Sequence, residues 1–219
     1  MRRLPLFPLP LVLLPGAPLP LHIFEPRYRR MLADCLAGDR EFGIVYLPPQ
    51  VGERELPPGH VGCVARISDS VLLDDGRSNV MVTGDERFAL HGFVDADVTY
   101  HVGDVREYVD LPEDTARVAA AAARVRHLFD RVGRAARALS DDGDPVPQLP
   151  DDDARLSFTV ASHIDLDAPA RQRLLQSRSA SKRLADLEAL LAAAATPLEQ
   201  RAAVHERAKS NGHGPHGDE

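Results

Sequence analysis

Hydrophobic positions change their spacing once along this chain, near Leu111-Pro112. Before that point apolar residues alternate with polar ones at the period of a strand. After it they recur at the three-, four- and seven-residue spacings of an amphipathic helix. Val61, Cys63, Ala65 and Ile67 alternate with Gly62, Val64, Arg66 and Ser68, and Phe42 to Leu47 is an apolar run closed by Pro48-Pro49, so both predict strands. Val71 to Leu73 and Val80 to Thr83 flank Asp74-Asp75-Gly76-Arg77, where glycine can take positive φ and aspartate can bond its own backbone, which predicts a hairpin. Val94, Ala96, Val98, Tyr100 and Val102 alternate with Asp95, Asp97, Thr99, His101 and Gly103, predicting a half-buried strand with His101 facing outward.

The opening segment is apolar but broken by Pro5, Pro8, Pro10, Pro15, Pro18 and Pro20. Proline cannot donate to a ladder, so edge strands and a rigid crossing loop are expected there. The same prolines rule out the helical apolar region of a secretory signal behind Met1-Arg2-Arg3. A short helix is predicted from Pro26 to about Ala37, with proline at the first helical position and Gly38 as its stop.

Beyond the transition, Val118, Val125, Val132 and Leu139, with Ala121, Leu128, Phe129 and Ala136, make one stripe of a long helix. Leu156, Val160 and Ile164 mark another helix after the acidic loop Asp141 to Asp153, Arg171 to Gln176 a helical turn, and Leu184, Leu187, Leu190 and Leu191 a third helix. Thr196-Pro197-Leu198-Glu199 has the capping-box form and predicts a further helix start. Residues after Ser210 offer nothing to bury. The expected organisation is α+β: a β-rich unit over 1–110, an α-helical unit over 111–208 and a disordered tail over 209–219.

With 219 residues and 44% hydrophobic content the chain can bury one sizeable core or two small ones. Two cysteines, Cys35 and Cys63, make neither a disulfide framework nor a four-cysteine zinc site, so a reducing, cytoplasmic setting is the expectation. The net charge of -7 disfavours a surface built to neutralise phosphates. No window is long and apolar enough to predict a membrane span.

Candidate chemistry is sparse. Neither a Gly-x-x-x-x-Gly-Lys-Ser/Thr loop nor a Gly-x-Gly-x-x-Gly turn occurs. Ser179-Ala180-Ser181-Lys182 has the Ser-x-x-Lys spacing, but its serines sit where a helix N-cap is expected and companion motifs are missing. His205-Glu206 begins like a zinc helix, yet position 209 is lysine. His22, His60, His91, His101, His127 and His163 lack metal spacing, and Asp141, Asp142, Asp144, Asp151, Asp152 and Asp153 lack the ligand alternation of a calcium loop. Cys35 and Cys63 fall on apolar faces and are expected to be buried. No catalytic residue, cofactor or metal is expected.

The stretch Leu4-Pro5-Leu6-Phe7-Pro8-Leu9, Val12-Leu13-Leu14-Pro15-Gly16, then Leu19-Pro20-Leu21-His22-Ile23-Phe24-Glu25-Pro26-Arg27-Tyr28 resembles the opening of the Lon protease N-terminal, substrate-binding domain family. Phe42-Gly43, Val61-Gly62, Asp75-Gly76-Arg77, Gly84-Asp85-Glu86-Arg87-Phe88, Arg171-Gln172-Arg173-Leu174-Leu175 and Arg183-Leu184 follow in order, so the resemblance covers about 3 to 191. It implies a PUA-like half-barrel of about six strands with one short helix, then a helical bundle, and a stand-alone member without the ATPase and peptidase that follow this region in full-length Lon enzymes. It also implies that Pro8, Pro15, Gly16, Glu25, Pro26, Arg27, Tyr28, Gly84, Arg87 and Phe88 are mainly structural, with Tyr28 packing and Arg27 pairing or capping.

The function so implied is a non-catalytic module for unfolded or extended polypeptide segments, working with a separate ATP-dependent protease. A hydrophobic groove or an open sheet edge would be the physical route. Phe24, Tyr28, Tyr46 and Phe93 are the candidate contacts, each with the core as its alternative. The competing reading is an RNA-binding PUA-like module using the basic cluster Arg2, Arg3, Arg27, Arg29 and Arg30.

Overall fold

A computed structural model describes residues 1–140 and 147–211. Asp141, Asp142 and Asp144 of the acidic loop, and the tail from residue 212, lie outside the described residues. The chain divides into two compact units, one of residues 1–111 with 161–178 and one of 112–160 with 179–219.

The first unit holds β1 (Arg2–Leu9), β2 (Pro18–Ile23), α1 (Pro26–Ala37), β3 (Glu41–Tyr46), β4 (Val61–Leu72), β5 (Ser78–Val94) and β6 (His101–Glu107). The sheet order is β2-β5-β4-β3-β1-β6, and β6 pairs again with β5, so five strands close a ring with β2 added outside it. Strand β5 makes this possible by its 17-residue length. Its first half pairs with β2 through Pro18 to Ile23, and its second half pairs with β6 through Val94↔Val102 to Phe88↔Glu107. Leu4, Leu6, Val45, Val64, Phe88, Leu90 and Val105 fill the interior, with Leu56 from the β3–β4 loop. Helix α1 has Pro26 in its first turn and Gly38 as its C-cap, and buries Tyr28, Met31, Leu32 and Cys35.

Three expectations for this unit need correction. The residues 94–102 do not form a strand: β5 ends at Val94, β6 begins at His101, and 95–100 connect them. Alternation there reflects alternate aspartates in a connection between two strands that pair with each other. His101 is therefore not an outward, solvated position; its Nε2 lies 2.6 Å from Glu53 Oε2 and its ring meets the Phe93 ring edge-on. Strand β1 is not an edge, because it lies between β3 and β6. Its prolines are tolerated because each half has one paired flank: Arg2 to Leu6 face β6 and Leu6 to Leu9 face β3.

The helical part also differs from the sequence reading. Residues 161–178, expected in the helical unit, cluster with the sheet, and they include α4 (Ala168–Gln176). Asp167 caps α4 by accepting from Ala170 N at 2.7 Å. Inside the second unit, α2 (Thr115–Ser140) packs against α5 (Ala180–Asn211), and α3 (Asp153–His163) begins there, its residues from 161 on being assigned to the first unit. Thr196 starts no new helix: α5 is continuous through Pro197 and reaches Asn211, beyond the expected boundary at 208. Glu199, expected in a capping box, instead takes two bonds from Arg131 at 2.8 Å each.

Candidate functional site

The Asp74-Asp75-Gly76-Arg77 turn closes β4 onto β5, with Leu73 N donating to Arg77 O and Gly76 at φ +78°. The arm so formed carries β2 on its free side. Inward positions of the arm, Val80 and Val82, are buried, which sends Asn79 and Met81 to the outer face. Registers Pro20↔Met81, His22↔Asn79, Asp69↔Met81 and Val71↔Asn79 then set six side chains side by side across three strands. They line a shallow groove of about 340 Å³ together with Leu21 and Val80.

Its centre is apolar and its edge polar. Met81 is 38% exposed and Val71 52%, while His22 Nδ1 lies 2.8 Å from Asn79 Oδ1. Phe24, 59% exposed, stacks against the His22 ring at 6.1 Å. Large apolar side chains exposed together on one face, as Val71 and Met81 are, are costly in water unless something covers them.

The free edge of β2 is less receptive than the face. Pro18, Pro20 and His22 share one parity, and prolines cannot donate, so Leu19, Leu21 and Ile23 supply the donors to β5. The outward backbone of β2 thus offers carbonyls but only one N–H, that of His22. Proline at alternate positions is a known device for blunting an edge against strand addition.

The other anticipated contacts lie elsewhere. Tyr28 is buried, with its ring 4.2 Å from that of Phe7 and the Arg27 guanidinium 4.4 Å above it, and burial raises its phenol pKa above the ordinary value. Tyr46 is buried at the end of β3, and Phe93 packs against the sheet core. The four residues are not brought together. Sequence reasoning missed Val71 and Met81; the usable signal was Val71-Leu72 beside a turn, since adjacent strand residues face opposite ways and one of them must be wet.

The motif residues hold the frame. Gly16 N donates to Gly84 O at 2.8 Å and Gly84 N to Ala17 O at 2.9 Å; a side chain at Gly84 would place its Cβ 2.1 Å from Leu14 O. Arg27 joins Glu25 at 3.0 Å and both oxygens of Glu53 at 2.6 and 2.8 Å, and Glu53 in turn meets His101. The Arg27 bonds hold the Glu53 carboxyl below its usual range, against the opposing effect of burial. Arg87 is buried and donates to Leu175 O at 2.9 Å, Ser177 O at 2.7 Å and the Asp110 carboxylate, tying the end of α4 to β5. Pro8 pairs with Val45, and Pro15 precedes the Gly16 turn.

The Ser-x-x-Lys segment is an N-cap: Ser179 Oγ accepts from Lys182 N at 3.1 Å and donates to Glu113, and Lys182 is exposed. Asp152 accepts from Ala154 N and Arg155 N at the start of α3, and Asp153 meets Arg126. Among the described residues no group of three His, Cys, Asp or Glu is placed to hold a metal ion, and no helix is long and apolar enough to cross a membrane.

Comparison with known proteins gives this geometry a setting. The chain is similar to the Lon protease of Brucella suis biovar 1, 23% identical over 201 residues covering 91% of this chain and 25% of the relative, and to Lon protease 1 of Syntrophobacter fumaroxidans, 25% identical over 190 residues covering 84% and 23%. It spans about a quarter of the length of these curated relatives. Among solved structures it resembles a Lon N-terminal domain protein from Xanthomonas campestris, with TM-score 0.58, 26% identity and coverage of 86% of this chain and 98% of that one. The N-terminal domain of a Mycobacterium avium complex Lon protease shares the fold at TM-score 0.66 and 19% identity, covering 87% and 98%. A family model for the ATP-dependent protease La (LON) substrate-binding domain matches residues 3–193, and the chain therefore belongs to that family.

Proposed function

We propose that this chain is a non-catalytic polypeptide-binding module that takes exposed apolar segments of other proteins on the outer face of β2, β5 and β4. The observation that carries the reading is the joint exposure of Val71 and Met81 on that face with a rim of His22, Asn79 and Asp69. Covering such side chains contributes up to about 1.5–3 kcal/mol each, and much of that is offset by ordering a flexible partner. Weak, reversible capture follows, as suits a module that delivers or senses unfolded polypeptide. Membership in a substrate-binding family supports the same reading, with a separate ATP-dependent protease as collaborator and the cytoplasm as its setting.

The RNA alternative is weakened because most of the basic cluster already faces carboxylates. Arg2 is paired with Asp39 and Glu41, Arg27 with Glu25 and Glu53, and Arg30 with Asp34 at 2.9 Å. Cations already facing carboxylates release few counterions on meeting phosphate.

The test is binding of a reduced, alkylated, permanently unfolded protein to the intact chain and to a Val71→Asp/Met81→Asp variant, at low and high salt. Binding that tolerates salt and falls at least tenfold in the variant is expected. Unchanged binding in the variant, or steep loss with salt, overturns the reading.

A further inference from the structure

A second groove, of about 460 Å³, lies where the β3–β4 loop meets α4. Tyr46, Pro48, Leu56, Pro57 and Pro169 make its walls apolar, with one carboxylate, Glu55, and one guanidinium, Arg173, among the lining. Two further lining residues end in buried polar atoms that have no hydrogen-bond partner: Gln172 Oε1 and His60 Nε2.

Both atoms are acceptors, and their surroundings fix them so. Gln172, 6% exposed, donates through Nε2 to Val61 O at 2.9 Å, and since that carbonyl needs a donor the amide cannot be reversed. Burial lowers the His60 pKa, while the ring's bond to the Tyr46 backbone carbonyl acts the other way, so the neutral imidazole presents a bare Nε2. A buried acceptor without a donor keeps its desolvation cost uncompensated. Two of them on residues that line one apolar groove ask for a ligand with N–H groups on an apolar body.

We infer that this groove is a second polypeptide subsite, holding a short apolar segment whose amide N–H groups donate to Gln172 Oε1 and His60 Nε2. A backbone amide on an apolar segment supplies a neutral donor, matching acceptors that carry no net charge. One acid and one base among the lining residues give no field for a polyanion, which separates a peptide from a nucleic-acid strand. The subsite is independent of the outer-face reading, since the two grooves share no lining residue.

The experiment follows methyl and imidazole resonances of the intact chain in the Val71→Asp/Met81→Asp background, so that capture on the outer face cannot supply the signal. The probes are the peptide Ac-Ala-Leu-Ala-NH2 and its fully N-methylated form, which keeps the apolar body and loses the donors. Shifts at the methyls of Leu56 and of Val51, which also lines the groove, a changed His60 Nε2 resonance and affinity about tenfold or more higher for the unmethylated peptide are expected, the loss of two hydrogen bonds being of that order. A His60→Phe variant, which keeps the Gln172 bond to Val61, should lose much of the preference. Equal affinity for both peptides, no shift at these methyls, or a response only to a single-stranded oligonucleotide overturns the inference. Failure here with intact outer-face binding rejects the subsite alone.

Discussion

Replacing Arg87 with methionine would test how the sheet unit holds α4. The wild-type guanidinium is buried and serves Leu175 O, Ser177 O and the Asp110 carboxylate, whose side chain is about one quarter exposed. Methionine keeps most of the volume and removes every donor. The Leu175 carbonyl, buried with its residue, loses this bond, and Asp110 loses a charged partner in a site with partial access to water. A buried acceptor left without a donor costs about 1–3 kcal/mol. An uncompensated carboxylate costs more when fully buried, about 3–5 kcal/mol for the whole broken pair. Partial exposure of Asp110 brings the expectation to about 3 kcal/mol, read by urea denaturation of the sheet unit. Hydrogen exchange should show the Arg173 to Ser177 amides losing protection first, because the lost bonds fall on that turn. Adding Asp110→Asn should recover about 1 kcal/mol by removing the charge that Arg87 faced. A cost under about 1 kcal/mol, or uniform loss of protection with none focused on α4, would refute the assignment of Arg87 as its tether.

Other outcomes follow from the same geometry. Gly84→Ala should cost about 2 kcal/mol or more in denaturant midpoint, since the new methyl meets the Leu14 carbonyl, which is backbone and cannot swing aside. Glu53 has its carboxyl pKa depressed chiefly by Arg27, so its contribution is present above the unfolded carboxyl pKa and is lost as pH falls through the lower folded value. Glu53→Gln should therefore weaken the protein by about 1–2 kcal/mol at pH 7 and flatten the acid limb of a stability–pH curve; an unchanged limb would contradict this. Cys35 and Cys63 should resist aromatic disulfide reagents in the native state and react on unfolding, because burial pushes the Cys35 thiol up to about 12 and the Cys63 thiol higher still.

Sequence was most legible where the signal was local. Helix α1 begins at the proline and ends at the glycine that mark it, and the Asp-Asp-Gly-Arg turn joins the two strands it separates, because φ restriction and φ freedom act within one or two residues. The stripe of α2 was legible in the same way, although Ala135 is buried and Ala136 exposed, a drift that a seven-residue count does not carry. Tertiary choices were hidden. Alternation over 94–102 had the right period but the wrong fate, since β5 and β6 pair with each other and their connection takes the residues between. Thr196 looked like a cap because the helix could restart there; packing of α2 on α5 and the Arg131–Glu199 pair carry α5 past Pro197 instead.

The site was only partly visible. Phe24 was legible as an apolar residue beside a helix start. Val71 and Met81 became significant only when the register set β4 and β2 on either side of β5. Gln172 and His60 carried no local mark, because an acceptor becomes unusual only once its neighbours have used the other donors and closed over it. Arg87 and Arg183 were equally hidden: charged residues read as surface, yet Arg183 is 0% exposed, donating to Ser157 Oγ at 2.8 Å and Ala154 O at 3.1 Å.

The most direct test is a residue-resolved footprint of an unfolded polypeptide on the wild-type chain by methyl and amide NMR. Perturbation centred on Val71, Met81 and Leu21, reaching Phe24, is the predicted result. A footprint that leaves those residues silent and follows the arginines of β1 and α1 would contradict it.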